Sequence, residues 1–390
     1  MLRKALCLGV GVTLLSCVAA DDSQPPSLVI ADSAGVRTYR VEAGTQPVTW
    51  RLSESPVLSI GGDETEESGP LFRVRAGRFL PSGGFVIANS GLSQLRFYTA
   101  AGEMRTLVGR EGDGPGEFRY LGSVHLATDS VWVVDGLSSV TVVGEDGLFG
   151  RDVSLGELPY SSLPRVHGVL SDGALLVGQT PSSLMPEPGP AIHVEAIRVL
   201  RSGASVPAGE FFVAETYWQA VADGLMDTGH PFGRVGQFVS RGPHWYYTSG
   251  TEYRVEMYDG AGLLGSIFSR SEPPPAASRE AFEAFLDSAL AGTERPSPFE
   301  TRLRRVPLPE RLPAYDALLV DEPGNIWARP HGGARTSACW DIYQVVPRPE
   351  FGQACLPFAF ELLDASSTQV LGVLRDSLDV ERVVVYELTK

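Results

Sequence analysis

Lysine is almost missing from this chain of 390 residues: of 32 basic residues, only Lys4 and Lys390 are lysines. The skew toward arginine is a compositional bias and carries no functional inference. Cysteine is scarce, with four copies, which excludes a disulfide-dense scaffold. The six histidines (His125, His167, His193, His230, His244 and His331) are scattered, and no Cys or His spacing matches a zinc site. No His-Glu-x-x-His, Gly-x-Ser-x-Gly or P-loop pattern occurs, so no catalytic motif is local in the sequence. Positive charge is short as well. The formal net charge of −15 repels phosphate backbones and excludes nucleic acid as an expected partner. Beyond residue 20 no run reaches 18 apolar residues, so no membrane-spanning helix is expected there.

Glycine (43) and proline (29) are abundant, and together they favour short strands joined by tight turns. With 17 Phe, 12 Tyr and 6 Trp there is ample material for a packed interior. The length exceeds the roughly 250–300 residues at which a single core stops growing. Either several domains or a repeat that adds core unit by unit is required.

The first 20 residues have the three parts of an export signal. Arg3 and Lys4 precede a largely apolar run over 5–15, and small residues follow at 16–20. Eleven residues are too few to span a hydrocarbon core of about 30 Å as a helix. Leu14-Leu15-Ser16-Cys17 resembles a lipobox, which would make 1–16 a lipoprotein leader with lipid on Cys17. Ordinary cleavage after Ala20 is the alternative. Loss of Arg3 and Lys4 with the leader takes the formal charge from −15 to −17. The expected location is the periplasm or the outer membrane as a lipoprotein, or else secretion. Membrane contact is expected only through the anchor. In such a compartment Cys339 and Cys355, on either side of a turn at 347–350, suggest a disulfide.

The chain repeats itself. One unit is an apolar strand, an Asp/Ser/Gly turn, a second strand ending on a small or polar residue, a polar loop, a third strand, a glycine turn and a fourth strand. Residues 77–108 fit it in full, 122–155 align well with them, and further copies start near Val166, Gly236, Ala314 and Phe358. Six units of four antiparallel strands are the arithmetic of an all-β, six-bladed β-propeller over 50–390. The sixth unit ends after its third strand at Leu388, and 56–61 reads as an orphan fourth strand. Pairing the two would close the circle and hide an edge. Residues 21–49 read as an N-terminal extension and 210–230 as an aromatic insertion. The one helix expected is an insertion at 276–292, capped by Ser278, with Phe282, Phe285, Leu286, Ala289 and Leu290 on its packing face and Gly292 as its stop.

Gly109-Arg110-Glu111-Gly112-Asp113-Gly114-Pro115-Gly116-Glu117-Phe118 resembles the inter-blade loop of bacterial six-bladed propeller proteins related to NHL repeats. Trp50-Arg51-Leu52 leading to Pro56-Val57-Leu58-Ser59-Ile60-Gly61 matches the same pattern. So do Asp321-Glu322-Pro323-Gly324-Asn325-Ile326-Trp327 and Gly372-Val373-Leu374-Arg375-Asp376. The resemblance spans about 50–390 and implies the fold and an envelope location. It brings no catalytic residues with it. The loop at 109–118 is read as structural, with Phe118 packed between blades, and a cation held by Asp113 and Glu117 is the outside alternative.

Loops after second strands and loops between units open at the same end of a propeller. That end carries Asn89, Asp135, Arg329, His331, Arg335, Arg375 and Asp376, the candidate binding residues. The expected function is a non-catalytic, monomeric propeller that takes a small ligand or a protein through this channel face, with no cofactor. The alternative is a hydrolase or lyase, lactonase-like or amidating-lyase-like, with Ca²⁺ or Zn²⁺ in the channel.

Overall fold

A computed structural model of the chain describes residues 28–390 apart from 63–68, 182–186, 202–203, 223, 292–296, 333–337 and 358. The expected leader, Cys17, Arg335 and the expected helix stop at Gly292 lie outside the described residues.

The segment read as an extension is strand from Val29 onward. β1 (Val29–Ser33) and β2 (Val36–Val41) form a hairpin, followed by β3 (Val48–Leu52) and β4 (Leu58–Ile60). Then come four-stranded antiparallel meanders. The first is β5 (Val74–Phe79), β6 (Phe85–Asn89), β7 (Gln94–Tyr98) and β8 (Met104–Val108). The second is β9 (Leu121–Ala127), β10 (Ser130–Asp135), β11 (Ser139–Gly144) and β12 (Phe149–Val153). The third begins with β13 (Arg165–Val169) and β14 (Leu175–Gln179). It continues into a long ribbon of β15 (Gly189–Arg201) and β16 (Ala204–Val221), edged by β17 (Gly224–Asp227). β18 (Gln237–Arg241), β19 (His244–Thr248), β20 (Arg254–Tyr258) and β21 (Leu264–Arg270) follow.

Helices α1 (Arg279–Ala289) and α2 (Pro298–Leu303) interrupt the series, each capped by a serine. Ser278 Oγ accepts from Ala281 N–H and Ser297 Oγ from Glu300 N–H, both at 3.0 Å. Phe282, Leu286 and Leu290 pack on Phe232, Leu303 and Leu312 as a satellite core. The chain then makes β22 (Tyr315–Val320), β23 (Ile326–Pro330), β24 (Ala338–Gln344) and β25 (Glu350–Leu356). It finishes with β26 (Phe360–Ala365), β27 (Gln369–Arg375) and β28 (Glu381–Thr389). Cys339 and Cys355 lie opposite each other in the β24–β25 register and form a disulfide.

The N-terminal strands complete outer edges. β2 runs parallel to β21 and β3 parallel to β25. β4 pairs antiparallel with β28, matching Ile60, Ser59 and Leu58 to Val383, Val384 and Val385.

Second strands such as β6 and β14 are buried at every position, which explains their unbroken apolar composition. Alternate residues of one strand serve different cores. Phe85 and Ile87 pack with Leu371 and Val373, whereas Val86 and Ala88 pack with Val124 and Val133. Each sheet is thus sandwiched between two neighbours, and the clusters run on from sheet to sheet around an axis. The first strands touch in turn as an inner circle: β5 on β9, β9 on β13, β13 on β18, β18 on β22, β22 on β26, and β26 back on β5.

Candidate functional site

At the channel end, the side chain that closes a second strand ties down the loop that enters the first. Asn89 Oδ1 accepts from Phe72 N–H at 2.7 Å while its Nδ2 donates to Pro70 O. The Asp135 carboxylate accepts from Arg119 N–H (2.9 Å) and Tyr120 N–H (2.5 Å). Gln179, at the same place on β14, donates to Tyr160 O (2.7 Å) and Ser162 O (2.9 Å). These are equivalent loop clamps, so the polar atoms of Asn89 and Asp135 are already committed to backbone. Asp376 does similar work within its own turn, accepting from Leu378 N–H and Val380 N–H.

The remaining candidates sit in ion pairs. Arg375 bridges Glu361 and Glu381, each at 2.9 Å. Arg329 contacts Asp316 at 2.5 Å and lies over the Trp340 ring. His331 Nδ1 is 3.3 Å from the other Asp316 oxygen, and the His331 ring stands edge-on to Phe232 beside the helical insertion. Asp316 feels burial first, which raises its pKa, but His331 and Arg329 outweigh it and hold the carboxyl below its usual range. Arg329 and His331 thus share Asp316, whereas Asn89, Asp135, Arg375 and Asp376 each hold other partners.

Bulges on the inner strands reveal a set that the sequence did not. Pairing shifts by one residue on β5 at Arg75, on β9 at Gly122, on β13 at His167, on β22 at Asp316 and on β26 at Leu363. A bulge re-aims the extra side chain and is common beside binding sites. Three of these residues are ionisable. Arg75 is exposed. His167 Nε2 lies 2.6 Å from Glu195 Oε2, with Arg165 4.0 Å from the other oxygen. Gly178 leaves room for this pair: a Cβ there would meet Glu195 Oε2 at 2.0 Å and His167 Nε2 at 2.7 Å and push the two side chains aside.

Deeper on the inner strands is a second polar level. Arg241 Nη1 reaches Asp364 Oδ1 at 3.2 Å, Phe79 N–H donates to Asp364 Oδ2 at 2.9 Å, and Arg78 Nη1 donates to Leu363 O at 2.8 Å. Ser240 Oγ accepts from Val169 N–H at 3.0 Å and lies 3.4 Å from His125 Nδ1. His125 Nε2 is 2.9 Å from Ser123 Oγ. Burial, then Arg78 and Arg241, push the His125 pKa down to about 3. No motif announces this cluster, since its side chains are spread over β5, β9, β18 and β26, in four different units. The available signal was a charged residue interrupting an apolar strand, as Asp364 does in Leu362-Leu363-Asp364-Ala365.

A pH test follows from His125. The unfolded imidazole takes up a proton near 6.5 and the folded one only near 3. The unfolded state therefore binds more protons in that window, and stability falls as pH drops through it. Asp321, pushed up to about 6 by burial, acts in the opposite sense but is common to both proteins compared. The Tm advantage of wild type over His125→Gln should shrink between pH 7 and pH 4.5. A constant advantage would contradict a buried neutral imidazole.

Asp113 and Glu117 pair with Arg119 and Arg110, and Phe118 is fully buried between the first two meanders. Among the described residues no three His, Cys, Asp or Glu side chains are placed to hold a metal ion. A cavity of about 90 Å³ opens at the β19–β20 turn, lined by Tyr247, Thr251, Arg254 and Glu256 among others. It falls short of the roughly 300 Å³ that small-molecule pockets start from.

No family model and no curated protein matches the chain. Solved structures do. A protein of Bacteroides fragilis named as exported is 14% identical over 90% of this chain and 98% of its own, with a TM-score of 0.51. The fold is a β-propeller. A member of the duf4221 family from Bacteroides vulgatus (10% identity, 88% and 100% coverage, TM-score 0.49) is also similar. So is a streptogramin B lyase (12% identity, 87% and 97% coverage, TM-score 0.40). At these identities the likeness is one of propeller fold alone.

Proposed function

We propose that the chain is an exported six-bladed propeller that binds a ligand or protein partner through one end of its channel, without catalysis. Six follows from taking each four-stranded unit as a blade, with β4 as the outer strand of the blade that holds β26–β28. The observation that carries the binding reading is an arc of exposed apolar side chains on the loops of that end. Tyr120 is 74% exposed, Leu163 81% and Leu378 83%, joined by Phe72, Leu92 and Leu137.

Short contacts link much of the arc from blade to blade. Gly91 N–H donates to Phe72 O, Ser90 Oγ to Leu121 O, Gly136 N–H to Tyr120 O and Val166 N–H to Leu137 O, all between 2.6 and 2.9 Å. Linked apolar exposure of this kind marks interaction surfaces. At the opposite end Leu148 with Phe149, Leu263 and Val346 are exposed on the outer hairpins of three different sheets, and exposure in such small, separate groups is ordinary for a protein surface. Inside the arc, the bulge residues Arg75, His167 and Asp316 supply polar groups for orientation.

The double variant Tyr120→Ser/Leu163→Ser should keep its stability within about 1 kcal/mol, because neither side chain is in a core. It should lose whatever component of envelope extract the immobilised wild type retains. Equal retention by the variant would sink the arc as the binding face.

Export is supported by the leader at 1–20 and by the Cys339–Cys355 disulfide, a bond that persists in oxidising compartments. Anchoring through Cys17 predicts incorporation of a palmitate analogue that Cys17→Ala abolishes. Labelling that survives the substitution would contradict the anchor and leave secretion.

A further inference from the structure

We infer that the base of the channel is an anion site, in which the guanidinium groups of Arg78 and Arg241 hold one small carboxylate or phosphate group on the axis. The inference stands on the inner strands and does not depend on the apolar arc. β5 and β18, which carry the two arginines, occupy opposite places in the inner circle, so an axial group lies between them. Both side chains converge on the same stretch of β26. Arg241 Nη1 takes Asp364 Oδ1, and Arg78 Nη1 takes Leu363 O and its own Gly77 O (2.9 Å).

Most of their donor capacity is unspent. Nε and Nη2 of Arg78, and Nε and Nη2 of Arg241, donate to no acceptor among the described residues. Neither guanidinium contributes a fully buried, unpartnered nitrogen, and both side chains are half-buried. The surrounding acids do not absorb them. Asp364 is divided between Phe79 N–H and an Arg241 contact of 3.2 Å, long for a charge-assisted hydrogen bond. Asp321 gives its oxygens to Asn325 N–H (2.6 Å), Asn325 Nδ2 (2.8 Å) and Trp327 Nε1 (2.9 Å) within its own turn. His125, a titratable neighbour of both arginines, is neutral and adds no charge.

Among the described residues Arg241 thus has one carboxylate partner and Arg78 only backbone carbonyls, and a guanidinium fork matches a carboxylate or phosphate in shape and charge. Burial and Arg241 both press the Arg78 pKa down while Asp364 opposes them, the condition that an added anion would relieve.

Calorimetric titration of the wild-type protein with inorganic phosphate, and separately with acetate, tests the site. One saturable equivalent is expected with at least one of them. Arg241→Gln should weaken it by about tenfold or more. Asp364→Asn, which frees Arg241 from its competitor, should tighten it. A pair that only holds the fold together would give no saturable binding in wild type, or binding that neither variant changes, and either result overturns the site. If Arg241→Gln does not fold, the wild-type and Asp364→Asn titrations still decide.

Discussion

Trp327→Ala is expected to lower the unfolding free energy by about 4 kcal/mol, near the top of the range for a single core truncation. The indole is fully buried, packs edge-on against Trp50 with ring centroids 5.9 Å apart, and lies in the core shared by Leu319, Ile342 and Val384. Removing it opens a cavity that this rigid seam cannot fill. It also withdraws the Nε1 donor from Asp321 Oδ2, leaving a buried carboxylate short of a partner. Trp327→Phe keeps most of the packing and loses the donor, so about half that loss is expected. Denaturant midpoints for the three proteins check both. A loss below about 1.5 kcal/mol in Trp327→Ala would mean that this seam is not a packed inter-sheet core.

The second large effect concerns closure of the circle. Ile60 is buried against Leu71, Val383 and Val385, whereas Ser59 beside it faces solvent. Ile60→Asp puts an unpaired carboxylate into that core and should cost about 3–5 kcal/mol. Ser59→Asp, one position away on the opposite face of β4, should stay within about 0.5 kcal/mol. Loss of β4 bares the edge of β28, an invitation to strand pairing between molecules. Ile60→Asp should therefore both melt earlier and elute as larger species on size exclusion. Equal melting of the two variants would mean that β4 is not the outer strand of a closed circle.

The sequence showed some parts of this fold and hid others for physical reasons. Second strands were legible because neighbours bury both of their faces. The apolar run at 85–88 and the structural strand Phe85–Asn89 differ by one residue. The places of β2 and β3 in the sheets were invisible, because they pair in parallel with β21 and β25, more than 200 residues away, and parallel partners leave no local turn signal. The β15–β16 ribbon blurred the third unit. Its 13- and 18-residue strands run well past β14, with alternating half-exposed positions in place of a continuous core run.

Site residues divide in the same way. Asn89 and Asp135 were conspicuous as polar ends of apolar strands, but only the structure shows what those groups hold. Arg78, Arg241 and Asp364 come from three separate units, and nothing in any one repeat signals that they meet.

Whether the two ends of the channel differ in function is tested most directly by site-specific photo-crosslinking in cells that produce the protein. Benzoylphenylalanine would be placed at Tyr120 in one variant and at Leu263, on the opposite end, in another, with adducts weighed by mass spectrometry. Both positions are exposed, so neither substitution disturbs a core. A discrete adduct at 120 and none at 263 is the expected result. Adducts at both positions alike, or only at 263, would contradict a binding face formed by the loops around Tyr120.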